Sequence, residues 1–194
     1  MTIKRALPYI FMLTAVIGLA ASFVLTYDKI HYLKDSSYVP SCNINPIISC
    51  GSVMKTQQAD LLGLPNTVFG IAGFSILLFL GLILATGSQI HKRLWKLVNI
   101  GVFGGFIFFA YLFFEGVYRI NVICPYCFVV WLIMPPLLLY TTLYNLQAGN
   151  IRLGLSDKIR TFLVRFHWEI LTSWYVIFFG LLLTHFWYYW KTLI

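Results

Sequence analysis

The chain has 194 residues, 60% of them hydrophobic and 10% charged. Soluble domains carry roughly 25% charged residues, so an ordinary soluble globule is excluded. The net charge of +8 falls in the connections between apolar runs and reads as a membrane-topology signal rather than a nucleic-acid footprint.

Five runs are long and apolar enough to cross a bilayer core, which takes about 20 residues each: Leu7–Tyr27, Thr67–Thr86, Leu97–Tyr118, Cys124–Leu146 and Trp168–Trp190. Backbone polar groups must be satisfied internally in lipid, and no barrel-like alternation is present. The expected fold is an all-α polytopic membrane protein, with a four-helix transmembrane bundle and a fifth helix alongside. Residues 1–147 form the bundle, and 148–194 hold a basic connection and the fifth helix. The first run is long for a signal peptide and no small-residue cleavage motif follows Tyr27, so it is a retained helix.

Residues 28–66 form the longest non-spanning segment. Its first part, "DKIHYLKDSSYVPSCNINP", is polar, contains Pro40 and Pro46, and is expected as loop. Its second part, "SCGSVMKTQQADLLGLPN", reads as a short helix across the mouth of the bundle, with Ser52 as N-cap and Gly63 and Pro65 as the stop. After the third run, "RINVI" is a short turn, so the third and fourth helices should be antiparallel neighbours. Glu115 near that turn is an intramembrane acid and a functional candidate by default; pairing with Arg119, four residues on, is the preferred reading.

In the fourth helix Cys124 stands where an N-cap would stand, Pro125 takes the first helical position, and Cys127 falls in the first turn. Pro135 and Pro136 should kink this helix, shaping a pocket or aiding packing. Beyond it, Ile151, Leu155, Ile159, Phe162 and Leu163 have the spacing of an interfacial helix. His185 reads as packing or interfacial, and "HFWYYWKTLI" as an aromatic belt.

With the N-terminus inside, nine of the fourteen basic residues face inward: Lys4, Arg5, Lys92, Arg93, Lys96, Arg152, Lys158, Arg160 and Arg165. All four cysteines then face outward, Cys42 and Cys50 in the first loop and Cys124 and Cys127 at the start of the fourth helix. In a bacterium that side is oxidising. The helix N-terminus favours a thiolate in the Cys-x-x-Cys pair. The loop pair, with seven residues between its members, can close as a disulfide. Exchange between the two pairs would carry electrons from water toward lipid, where the available sink is a quinone. A four-cysteine zinc site normally needs two tight knuckles, and the first pair is too widely spaced. Two inert structural disulfides would explain the location of the cysteines but not the proline-primed helix start.

The segments "SCNINPIISCGSV", "GLPNTVFG" and "CPYC", in that order, resemble the vitamin K epoxide reductase family in its bacterial, disulfide-forming and quinone-reducing branch. The resemblance covers roughly residues 7–147. It implies that Cys42 meets a partner's thiols, that Cys50 shuttles, pairing with Cys42 or with Cys124, and that Cys127 faces the quinone as the reactive thiolate. Asn66 matches a residue that hydrogen-bonds the quinone oxygen, although a helix N-cap would suit it too. Phe69 matches a pocket aromatic, with plain packing as the alternative, and Thr56 matches a hydroxyl residue on the short helix. Trp131 stands where vertebrate members have a ligand-binding Tyr.

The resemblance further implies a menaquinone or ubiquinone cofactor and a bacterial inner-membrane location with the cysteines at the periplasmic face. Because the sequence ends at Ile194, with no fused thioredoxin-like domain, the expected partner is a separate DsbA-like thioredoxin-fold protein. The rival activities are reduction of vitamin K epoxide, as in vertebrate members, and a non-catalytic membrane protein stapled by disulfides.

Overall fold

A computed structural model describes residues 3–61, 63–151 and 157–192. Eight α-helices are present among them: α1 (Ile3–Lys34), α2 (Cys50–Met54), α3 (Asn66–Ala85), α4 (Lys92–Phe114), α5 (Pro125–Gln147), α6 (Asp157–Arg165), α7 (His167–His185) and α8 (Trp187–Trp190). A 3₁₀ turn, Gln57–Asp60, follows α2, and a π-helical turn, Glu115–Ile120, continues α4. Five helices are long and apolar enough to cross a membrane: α1, α3, α4 with its π turn, α5 and α7. The chain is therefore an all-α polytopic membrane protein.

Helix α1 packs along α3 and α5, α4 packs along α5, and α7 touches α5 from outside. The core between them is apolar, built on Phe11, Phe74, Trp95, Leu137 and Leu143. Helices α1 and α3 approach closely because Gly70 has no side chain: a Cβ there would strike the Ser22 hydroxyl. Small residues serve this purpose in membrane helices, where lipid supplies no hydrophobic drive for association. One turn along, Thr26 Oγ1 donates to Thr67 Oγ1 at 2.7 Å.

Several boundaries differ from the sequence reading. Residues 28–34, expected as loop, continue α1. Their polar side chains are accommodated because Asp28 accepts from the Tyr38 hydroxyl and Lys29 donates to the Met54 carbonyl. The N-cap of the short helix is Ser49, not Ser52: its backbone is extended and its side chain accepts from the Ser52 amide. The expected single short helix is two pieces, α2 and the 3₁₀ turn, while Gly63 in the left-handed region (φ +75°) ends the segment as expected. The last run breaks at Phe186 into α7 and α8. Within the expected interfacial helix, Asp157–Arg165 is helical, whereas Arg152 and Leu155 lie outside the described residues.

Helix α5 runs through Pro135 and Pro136 without interruption. A proline removes the hydrogen bond to the carbonyl four residues earlier, so Pro136 leaves the Leu132 carbonyl free. The Tyr175 hydroxyl of α7 donates to it at 2.6 Å. That bond ties the fifth spanning helix to the bundle at the point where the backbone needs a donor.

Candidate active site

The four cysteines gather at one end of the bundle. Cys42 and Cys50 form a disulfide, and Cys124 and Cys127 are free thiols. Cys124 Sγ lies 3.6 Å from Cys50 Sγ. Cys50 is fully buried, Cys124 is 2% exposed and Cys42 6% exposed, packed with Leu25 and Met54. Cys42, expected to meet a partner's thiols, is therefore largely covered.

Backbone bonds set this register. Ile48 pairs in parallel with Ile123, the residue before Cys124. The Ile123 amide donates to the Ile47 carbonyl at 2.7 Å, and the Ser49 amide donates to the Ile123 carbonyl at 3.1 Å. Two residues beyond Ile48 comes Cys50, so the bridge delivers its sulfur to Cys124. The loop is folded for this by two asparagines. Asn45 Oδ1 accepts from the Ile47 and Ile48 amides, closing an Asx-type turn around Pro46. Asn43 Oδ1 accepts from the Gly51 amide and the Ser49 hydroxyl, both at 2.9 Å. A Cβ on Gly51 would sit 2.8 Å from the Asn43 amide nitrogen, which is why glycine follows Cys50.

Helix α5 starts as the sequence suggests. Cys124 has extended backbone and caps the helix, its sulfur accepting from the Cys127 amide at 3.5 Å, with Pro125 next. The Cys124 thiol, just ahead of the membrane helix, is held below the ordinary cysteine value. The chief cause is a hydrogen bond from the Cys127 side chain, aided by the Cys127 and Tyr126 amides and opposed by burial. A thiolate is the form that takes part in exchange with a disulfide, and the thiol held low is Cys124, beside Cys50, rather than Cys127, where the reactive thiolate was expected. Asp28 Oδ2 lies 4.0 Å from Cys42 Sγ; a disulfide sulfur carries no proton, so this is a contact and not a hydrogen bond.

Beneath the sulfurs is a cavity of about 90 Å3 lined by Cys50, Cys124, Cys127, Asn66, Glu115 and Trp131, with largely apolar walls between them. Asn66 is the first residue of α3 rather than its cap. Its amide nitrogen donates to the Gln58 carbonyl at 2.6 Å and its oxygen accepts from the Leu61 amide at 3.3 Å, so the cap alternative gives way to a tie on the 3₁₀ turn. Trp131 is 6% exposed, edge-on to Phe113, and its indole N–H has no partner. Glu115 pairs with Arg119 at 3.2 Å, as expected, but one carboxylate oxygen is buried without a partner.

Two candidates fall outside the cavity. Phe69 faces an apolar groove between α3 and α4 and is 39% exposed. Thr56 precedes the 3₁₀ turn and its hydroxyl donates to the Val53 carbonyl at 2.8 Å. Sequence reasoning missed Lys29, a 6% exposed cavity-lining cation that pairs with Asp60 at 2.8 Å. It also missed the positioning roles of Asn43, Asn45 and Ile123. The Asn-Pro dipeptide at 45–46 was a usable turn signal; the pairing of Ile48 with Ile123 had none.

The sequence matches the family model for the vitamin K epoxide reductase family over residues 9–142, a span that holds all four cysteines. The chain belongs to the vitamin K epoxide reductase family. The membership makes it a membrane thiol oxidoreductase of a generally quinone-linked kind. Helices α6, α7 and α8 lie beyond the matched span. A search of curated proteins found no match.

Proposed function

We propose that the chain oxidises the dithiol of a separate thioredoxin-fold protein of the DsbA type and passes the electrons through its two cysteine pairs to a membrane quinone. The observation that carries this is the 3.6 Å approach of Cys50 Sγ to Cys124 Sγ. It is within reach of sulfur-to-sulfur exchange after a small displacement, and it joins the loop pair to the helix pair in one chain of sulfurs.

The steps follow from thiol–disulfide chemistry. A partner thiolate attacks Cys42, the Cys42–Cys50 bond breaks, and the partner's second thiol releases an oxidised partner. Cys50, now a thiolate, attacks Cys124 in the oxidised inner pair and Cys127 departs. Cys42 then resolves the Cys50–Cys124 bond. The outer disulfide is restored and the inner pair is left reduced, which is the bond arrangement described above. Val39 and Ile44, each 68% exposed, flank Cys42 and give a partner apolar side chains to cover.

A quinone supplies the two-electron acceptor in lipid. The residues suit it: the unpartnered Trp131 indole N–H and the second amide hydrogen of Asn66 are donors beside an apolar cavity holding Cys127. The cavity and the α3–α4 groove share Gly70 and Phe109, so an apolar tail has a continuous path outward. The reading places the protein in a bacterial inner membrane with the cysteines at the periplasmic face.

Turnover of purified protein with a reduced thioredoxin-fold partner and a panel of quinones tests this. One quinol should form per partner disulfide. Turnover only of vitamin K epoxide would replace the reading with the vertebrate activity. Cysteines that respond to neither partner nor quinone would leave a disulfide-stapled membrane protein.

A further inference from the structure

Oxidation of a dithiol releases two electrons and two protons. The cavity that would receive them has largely apolar walls, and Glu115 is the only carboxylic acid among its described lining residues. Glu115 is 2% exposed. One oxygen accepts from Arg119, whose side chain is 64% exposed, while Oε2 lacks a close hydrogen-bond partner among the described residues, the Tyr111 hydroxyl being its polar neighbour. A buried acceptor without a partner is uncommon and calls for an explanation. The cation among the described lining residues, Lys29, is engaged by Asp60 and the Met54 carbonyl. Glu115 also opens the π-helical turn Glu115–Ile120. Such turns are rare, often sit at functional sites, and here the turn continues the α4 wall that lines the cavity.

We infer that Glu115 is the proton carrier of the Cys124–Cys127 couple, its free Oε2 holding the proton that one cysteine gives up when the reduced pair becomes a thiol and a thiolate. The bookkeeping is closed. Reduction of the inner disulfide takes up two electrons and two protons, breaks the S–S bond, and leaves one proton on sulfur and one on Glu115. Oxidation re-forms the S–S bond and passes both electrons and both protons to the acceptor. The carboxylate is then held by Arg119, with the Tyr111 hydroxyl alongside, and the exposed guanidinium keeps it linked to water. The inference rests on the redox reading of the inner pair but not on the identity of the acceptor.

The test needs no quinone. Infrared difference spectra between the reduced and oxidised inner pair, set chemically in purified protein, should show a protonated carboxylic acid band in the reduced state. The band should vanish in Glu115→Gln and persist in Arg119→Gln. With a short-chain quinone as acceptor and dithiothreitol as donor, Glu115→Gln should lower kcat about tenfold or more with KM within about twofold. Formate should restore part of the rate to Glu115→Ala. Absence of the band, its survival in Glu115→Gln, or equal losses in Glu115→Gln and Arg119→Gln would overturn the inference and leave a structural ion pair. If Glu115→Gln fails to accumulate, carbodiimide labelling of Glu115 in the parent protein decides: the band should disappear on labelling, and its persistence at full labelling overturns the inference. A parent protein that shows the band but reduces no quinone would refute the proposed acceptor and leave the inference standing.

Discussion

The two ends of the bundle treat buried polar groups in opposite ways. At the end away from the cysteines, Asn145 is fully buried and its amide is used completely: it donates to Asn99 Oδ1 at 3.1 Å and accepts from Asn150 Nδ2 at 3.0 Å. At the cysteine end four buried polar atoms have no partner among the described residues, on Asp60, Glu115, Trp131 and Trp190. Buried polar groups are normally paired, and local departures from that rule are expected where a protein holds a ligand or does chemistry. One end is finished as structure; the other is left incomplete for something else to complete.

The largest expected effects lie among the cysteines. Cys127→Ser should abolish quinone reduction with any donor, because no inner disulfide can form. Cys42→Ser should abolish it with a protein donor yet retain it with dithiothreitol, which reaches the inner pair directly. Equal loss with dithiothreitol in the two variants would mean that the pairs do not act in order.

Next comes Asn66→Ala. One hydrogen bond to a developing charge is worth about 1.5–3 kcal/mol, so turnover should fall about tenfold or more while thermal stability changes little. A variant that mainly unfolds would assign Asn66 to holding the 3₁₀ turn and shrink the contrast between the ends.

Asn145→Ala tests the other end. It strips partners from Asn99 and Asn150 and should cost about 1–3 kcal/mol of stability, read by thermal unfolding in detergent, with turnover per folded molecule unchanged. A selective loss of turnover would extend the site through the whole bundle. The smallest effect is Tyr175→Phe, which leaves the Leu132 carbonyl unbonded and should cost about 0.6 kcal/mol, the usual value for a hydrogen bond between membrane helices, without changing exchange between the cysteine pairs.

Much of this architecture was legible in the residues. Long apolar runs can only be spanning helices in lipid, and Cys124-Pro125 can be read as a helix start from local rules alone. Phe69 could not be placed, because which face of α3 turns toward the cavity depends on the closeness of α1, and that is set by Gly70 against Ser22. The helical course of residues 28–34 was hidden for a similar reason: Asp28 and Lys29 look like loop residues until Tyr38 and the Met54 carbonyl arrive from other segments. The bridge from Ile48 to Ile123 spans 75 positions with no sequence mark. Glu115 was visible as an intramembrane acid, and its i,i+4 pairing with Arg119 was correctly anticipated. That only one of its oxygens is used became apparent in three dimensions.

The central claim is that electrons cross between the pairs through Cys50 and Cys124. The decisive measurement removes the first and last sulfurs of the relay, in a Cys42→Ser and Cys127→Ser double variant, oxidises it with diamide, and maps disulfides by mass spectrometry. The 3.6 Å separation predicts a single intramolecular Cys50–Cys124 disulfide, formed in nearly every molecule and reversed by dithiothreitol. Two free thiols, or a crosslink between separate chains, would contradict it.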